Sequence, residues 1–254
     1  MFRFAPSPNG HLHLGHAYSA LLNVQLAAEQ NGRFLLRMED IDMARCTRSL
    51  ARDALEDLAW LGLAWEEPVR FQSEHMADYQ AAQDALMTMG VLYPCWCSRR
   101  EIDARCGHGP RDPDHQPLYD GHCRSNQRST DPQYALRLDM ARAAALAGND
   151  AARSWGDIIL VRKDIGTSYH VAVVVDDALQ GVTDVVRGKD LEAATCIHLL
   201  LQHLLGLSHP RYRHHELITD LSGLKLSKSA GSRSLRSLRD AGITAAEIRA
   251  ELGF

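Results

Sequence analysis

Along the first third of the chain, short unbroken apolar runs alternate with stretches in which apolar residues recur every three or four positions. That alternation predicts strands interleaved with amphipathic helices. Residues 1–5 read as a short strand. Gly15 to Gln30 reads as a helix, with Asn31-Gly32 as its C-terminal stop. "RFLLRME" (33–39) reads as a second strand. Thr47 is placed to cap a helix that runs to Leu61 and stops at Gly62, and another helix spans roughly Glu74–Met89 before Gly90. Strand, helix, strand in that order predicts a parallel sheet with crossover helices.

The pattern then breaks. From Pro94 to about Asp131 the chain is rich in Cys, His, Pro, Gly, Arg and Asp, with one short helix at Ser98 whose capping box is Ser98 with Glu101. Beyond it, "YALRLDM" (134–140) and "GDIILVRKD" (156–164) read as strands. "SYHVAVVVDDALQGV" is ambiguous, since its valines favour strand and its spacing allows helix. "DVVRG" (184–188) reads as a buried strand end, Glu192–Leu205 as an amphipathic helix stopped by Gly206, and Thr244 with Glu247 as the capping box of a terminal helix. The resulting division is 1–93 and 133–229 as two halves of one catalytic domain, 94–132 as an insert, and 230–254 as a short helical tail.

The composition suits a globular protein of one large domain, or one with an insert, across 254 residues. No apolar run approaches the ~20 residues that span a bilayer, and no signal peptide is evident, so the expected compartment is the cytoplasm. The net charge of -4 means that any nucleic acid must be held by a local basic patch. Arg99, Arg100, Arg105, Arg233, Arg236 and Arg239 are candidates for phosphate contact or for solvated surface. Cys46 and Cys196 are isolated and read as small buried hydrophobes. Cys95, Cys97, Cys106 and Cys123 are clustered, with His108, His115 and His122 nearby. A tetrahedral zinc site takes four sulfur or nitrogen ligands, so the spacing leaves the set open, with the four cysteines the plain choice.

The opening "FRFAPSPNGHLHLGH" puts a Pro- and Gly-containing corner between a strand and a helix N-terminus. Such a corner favours anions, because its amide hydrogens lack helical partners. Gly15 lets a flat ligand approach, and His13 and His16 can donate to phosphate. The same histidines could instead bind metal or simply begin a helix. Far away, "KLSKS" (225–229) sets Lys225 and Lys228 on a Gly- and Ser-rich loop suited to following a polyphosphate.

Together "HLGH" and "KLSKS" resemble the HIGH and KMSKS signatures of class I aminoacyl-tRNA synthetases. The longer string "RFAPSPNGHLHLGH" resembles the opening of the glutamyl branch. "LLRMEDIDMAR" (35–45) and "TSYHVAVVVDDALQGVTDVVRG" (167–188) follow in the family's order. The resemblance covers residues 1 to about 230. It implies an α/β, Rossmann-like catalytic domain with a parallel sheet and a small zinc-containing insert. It also implies ATP with Mg²⁺, and glutamate activated as its adenylate. Arg3 and Arg187 then grip the glutamate side-chain carboxylate, within a pocket formed by Arg3, Phe4, Ala5, Pro6 and Ser7. Glu39 receives the α-ammonium and Tyr169 hydrogen-bonds the amino acid. His13, Gly15, His16 and Lys228 meet ATP, with Lys225 assisting.

Shorter members of the family use C-x-C followed by Y-x-x-x-C, so the resemblance implies Cys95, Cys97, Tyr119 and Cys123 as ligands of one structural zinc. Only 25 residues, 230–254, follow Ser229, too few for an anticodon-reading domain. That shortness resembles the glutamyl-Q tRNA(Asp) synthetases, which place glutamate on the queuosine base of the tRNA(Asp) anticodon stem-loop. A monomer is expected. The rival readings are a truncated enzyme with another acceptor, a non-catalytic RNA-binding paralogue, and a HIGH-containing nucleotidyltransferase.

Overall fold

A computed structural model describes residues 1–125, 132–218 and 233–254. Lys225 and Lys228 lie outside the described residues. In chain order the first elements are β1 (Phe2–Phe4), α1 (Leu14–Glu29), β2 (Phe34–Met38), α2 (Arg48–Trp60), β3 (Glu66–Phe71), α3 (Met76–Thr88), β4 (Leu92–Cys95), α4 (Arg99–Cys106) and α5 (His122–Ser125). There follow β5 (Ala135–Leu138), α6 (Met140–Ala147), β6 (Ile159–Val161), α7 (Tyr169–Leu179), β7 (Asp184–Gly188), α8 (Thr195–Leu204), β8 (Arg211–His215), α9 (Leu235–Asp240) and α10 (Ala245–Leu252). The chain forms two compact units, Met1–Glu74 with Gly181–Glu192 and Pro210–Phe254, and His75–Gln180 with Ala193–His209.

The first unit is built on a sheet of order β3-β2-β1-β7-β8, parallel throughout. This is the parallel sheet that the strand–helix–strand order predicts. Side chains alternate across a strand, and the two faces here differ in kind. Phe2, Phe4, Leu36, Met38 and Val186 join a core with Ala17, Ala20 and Leu21 of α1 and Ala51, Ala54 and Leu58 of α2. Leu35 and Val185 take the other face, with Tyr212 packed beside them. Leu235, Leu238 and Ile248 of the last two helices are buried in the first core.

The second unit carries an antiparallel sheet of order β4-β5-β6. Pro94 sits on its edge strand, where a missing N–H costs no ladder bond. The valine-rich segment left ambiguous by its sequence is helical, as α7. Val171–Asp177 are all buried, so packing on every side overrides the strand preference of valine. Tyr79 of α3 donates to Asp176 of α7 at 2.9 and 3.1 Å, a buried link that ties the two helices together.

The predicted capping boxes of Ser98 with Glu101 and Thr244 with Glu247 form, and Thr47 caps α2. Three strands lack a sequence expectation: β3, β4 and β8. The first carries two glutamates in "EEPVRF" and the last is "RYRHH", both too polar to show an apolar run. The helix expected over Glu192–Leu205 begins at Thr195, after a 3₁₀ turn over Lys189–Leu191. Among the described residues no helix is long and apolar enough to cross a membrane.

Candidate functional site

The first candidate centre is the N-terminus of α1. His13 is its N-cap, and its side chain accepts from Gly15 N at 3.1 Å. His16 Nδ1 accepts from His13 N at 3.2 Å. The two imidazoles thus form a capping box of the kind usually made by Ser with Glu. Since Nδ1 of each ring accepts a backbone hydrogen, a neutral ring carries its proton on Nε2. That tautomer offers a donor suited to phosphate. A Cβ on Gly15 would lie 3.0 Å from the His13 ring. Glycine here makes room for the capping imidazole, a reason the sequence alone did not disclose.

The second centre is the less apolar face of the parallel sheet. Arg3 of β1, Arg37 of β2 and Arg187 of β7 fall on the parity of Leu35 and Val185, opposite the main core. All three are buried, Arg37 to 0% exposure. Glu39, one residue past β2, brings Oε1 within 4.0 Å of Arg37 Nη1 and is itself buried. Arg187 donates through Nε to His214 Nε2 at 3.4 Å and through Nη2 to the Leu191 carbonyl at 3.0 Å, and its guanidinium lies 5.1 Å over the Tyr212 ring. Burial and the Arg187 cation push the His214 imidazole below its usual range, so it stays neutral and can accept. Arg3, Glu39 and Arg187 therefore share one face. Phe4 belongs to the apolar core and Pro6 is buried beside it, its carbonyl accepting from Glu39 N at 3.0 Å. Ala5 and Ser7 are half-buried.

Tyr169 lies in the second unit, as the first residue of α7. Its ring is 5.5 Å from those of His170 and His198, and these two histidines are joined at 3.2 Å between Nδ1 and Nε2.

The third centre is also in that unit. The sulfurs of Cys95, Cys97 and Cys123 lie within 4.8 Å of one another and could hold a metal. Cys95 ends β4, Cys97 precedes the Ser98 cap of α4, and Cys123 rides on α5. Tyr119 Oη is 3.5 Å from Cys95 Sγ and 3.4 Å from Cys97 Sγ, and it accepts from Cys123 N at 2.9 Å. Cys106 is buried but does not join the sulfur group, nor do His108, His115 and His122. Burial, with hydrogen bonds to the three cysteines, pushes the Tyr119 phenol far above its usual range. Beside this cluster opens a cavity of about 390 Å³, lined by Tyr119, Arg137, Asp103, Trp155 and His170 among others.

Of the arginines considered for RNA, Arg105, Arg236 and Arg239 face Asp120, Asp53 and Asp57 within the protein. Arg99, Arg100 and Arg233 are exposed.

Residues 1–249 match the family described as tRNA synthetases class I (E and Q), catalytic domain. The chain belongs to that family. A glutamyl-Q tRNA(Asp) synthetase of Rhodobacter capsulatus is 44% identical over 99% of this chain and 99% of its own length. One of Nitratidesulfovibrio vulgaris is 38% identical, over 99% of this chain and 85% of that relative. Among solved structures, a glutamate tRNA ligase of Elizabethkingia meningosepticum, crystallised with its amino acid, superposes with a TM-score of 0.71 at 26% identity. It covers 90% of this chain, which spans 52% of that enzyme. As a class I synthetase the chain is a ligase with glutamate-tRNA-synthetase-like activity. The sequence reading singled out neither Arg37, His214 nor Arg137, which lie beside these centres, and it took Arg105 only as a candidate phosphate contact. The signal for Arg37 was present, since "FRF", "LLRM" and "VVRG" each set an arginine among apolar residues on a strand.

Proposed function

We propose that this protein activates glutamate with ATP, without needing tRNA, and transfers it to the queuosine base at the wobble position of tRNA(Asp). The observation that carries the reading is the arginine-lined face with Glu39. Two buried guanidinium groups suit a side-chain carboxylate, which they can grip in two-pronged fashion, and the nearby carboxylate suits an α-ammonium. Glutamine would leave the guanidinium groups without their counter-charge, which is a basis for rejecting it. In the first step the α-carboxylate attacks the α-phosphorus of ATP and pyrophosphate leaves. His13 and His16 donate from Nε2 to phosphate, Lys228 neutralises the leaving group with Lys225 assisting, and Mg²⁺ accompanies ATP. Tyr169 hydrogen-bonds the amino acid. In the second step a hydroxyl of the queuosine cyclopentenediol attacks the activated carbonyl and AMP leaves.

The acceptor is supported by the relative named for glutamyl-Q tRNA(Asp), matched along essentially its whole length. A splayed loop base is a common entry point for RNA recognition. A monomer working in the cytoplasm fits a tRNA substrate.

The Cys95, Cys97, Tyr119 and Cys123 set fits one zinc ion. With bonds of about 2.3 Å to sulfur and about 2.0 Å to oxygen, tetrahedral angles put sulfur and oxygen ligands roughly 3.5 Å apart. Tyr119 Oη lies 3.5 and 3.4 Å from two of the sulfurs. Zinc favours the deprotonated ligands and would stabilise the insert. Glutamate-dependent exchange between ATP and pyrophosphate in the absence of RNA tests the first step. Exchange supported equally by glutamine, or only after tRNA is added, would overturn it.

A further inference from the structure

We infer that Arg105 and Arg137 form the charge-balancing shell of the cysteine–tyrosine centre, and that they govern how tightly it retains a metal ion. The inference rests on the metal reading above and extends it to two residues outside the four donors.

Charge sets the problem. Three thiolates and one phenolate around a divalent cation sum to two negative charges. A half-buried centre keeps such an excess only beside cations that also satisfy its lone pairs. Two arginines meet that need, one for each cysteine of the C-x-C pair. Arg137 Nε donates to Cys95 Sγ at 3.2 Å, and Arg105 Nη2 donates to Cys97 Sγ at 3.2 Å. They arrive from different elements, β5 and α4, so their convergence is not a by-product of one helix or strand.

Arg137 is the more informative of the two. It is 6% exposed. Among the described residues no carboxylate pairs with it. Its bonds go to the Cys95 sulfur and, at 2.6 Å, to the Asp157 carbonyl oxygen, while its guanidinium carbon lies 3.8 Å over the Tyr119 ring. The Asp157 carboxylate is taken by Arg124, Tyr93 and the Met140 amide. Among the described residues this guanidinium meets a sulfur, a carbonyl and a phenol ring, with the cavity on its remaining side, and no carboxylate supplies it a counter-charge. It becomes well compensated once the thiol and phenol carry the charge that a bound metal imposes. The register of the sheet holds it there, since Arg137 pairs with Tyr93 and Ala135 with Cys95.

Arg105 adds a mechanical link. Its Nε donates to Asp120 Oδ2 at 2.8 Å, and Asp120 Oδ1 accepts from His122 N at 3.1 Å. The same carboxylate therefore steadies the first turn of α5, which carries Cys123. Because Arg105 already has a carboxylate partner and is more open to solvent, its share in balancing the centre is the smaller.

Substitution of these arginines should affect the loaded and the stripped protein differently. For Arg137→Met, zinc affinity measured by competition with a chromophoric chelator falls about 10–100-fold. The melting temperature of the chelator-stripped protein does not fall, because a poorly paired buried cation has been removed. For Arg105→Met the loss of affinity is smaller, and for Arg137→Lys it is intermediate, since lysine restores charge without the planar fork. The thiolate charge-transfer absorbance of the cobalt-substituted protein reports the donor set independently of activity. If Arg137→Met does not fold, Arg137→Lys and Arg105→Met carry the test. Wild-type affinity in all these variants would overturn the inference and leave the metal reading standing. A wild-type protein that takes up no stoichiometric zinc would overturn both.

Discussion

An arginine set between two apolar residues on a strand must either reach solvent or meet a partner inside. Arg3 and Arg187 do the latter, on a face they share with the buried Arg37 and Glu39 and with the apolar Leu35 and Val185. Replacing Arg187 by Gln keeps the hydrogen-bonding reach but removes the charge. The expected result is a rise of about 10–100-fold in KM for glutamate, in keeping with loss of one charge-assisted bond, with KM for ATP little changed; exchange kinetics measure both. Asp184 gives a pH prediction. Burial opposes its ionisation, but hydrogen bonds from Arg211 and Thr183 outweigh burial and hold its carboxyl below the usual range. A depressed native pKa contributes stability that is present above the unfolded value of about 3.9 and is lost as pH falls through the native value. Asp184→Asn should therefore cost about 1–3 kcal/mol at neutral pH and flatten the acid limb of a stability–pH curve. A parallel shift at every pH would contradict this assignment. At this scale the sequence was legible where a residue type is chemically committed, as with the C-x-C pair. It was opaque for His214 and Arg137, whose meaning depends on what a neighbouring strand brings opposite them.

At the scale of elements, the α1 N-terminus shows how one pair of residues can serve two ends. The imidazoles cap the helix through Nδ1, and on the proposed mechanism they meet phosphate through Nε2. Asparagine is a good N-cap, so His13→Asn separates the tasks. Thermal stability should stay within about 0.5 kcal/mol of wild type, while ATP–pyrophosphate exchange falls by about 10²-fold. A matched loss of both would mean that the histidine matters only as a cap. Elements with strong caps and apolar periodicity, such as α1, α2, α4 and α10, could be read from the sequence. Strands β3 and β8 could not, because their exposed, charged residues hide a pairing that only the sheet supplies. The α7 segment was undecided because an all-round buried helix has no polar face to set its period.

For the whole molecule, the last two helices are part of the first unit's core. Ile248 is fully buried there with Leu235 and Leu238, and the Asp53–Arg236 pair at 2.7 Å ties α9 to α2. Ile248→Ala should cost about 2–4 kcal/mol by chemical denaturation; a change below about 1 kcal/mol would show that these helices are peripheral. The family was legible in the order of its motifs, and the fold and the family match agree with it. The acceptor was legible only through the subgroup that the short tail resembles, and two similar relatives carry that subgroup's name.

On the proposed function, glutamate activated on the arginine-lined face is delivered to a base within an anticodon loop. The direct measurement supplies radiolabelled glutamate and ATP with tRNA that contains or lacks queuosine, then digests the product and locates the label. Label on the queuosine nucleoside of tRNA(Asp), and none on queuosine-free tRNA, is the predicted result. Label on the 3′-terminal adenosine of tRNA(Glu), indifferent to queuosine, would contradict it.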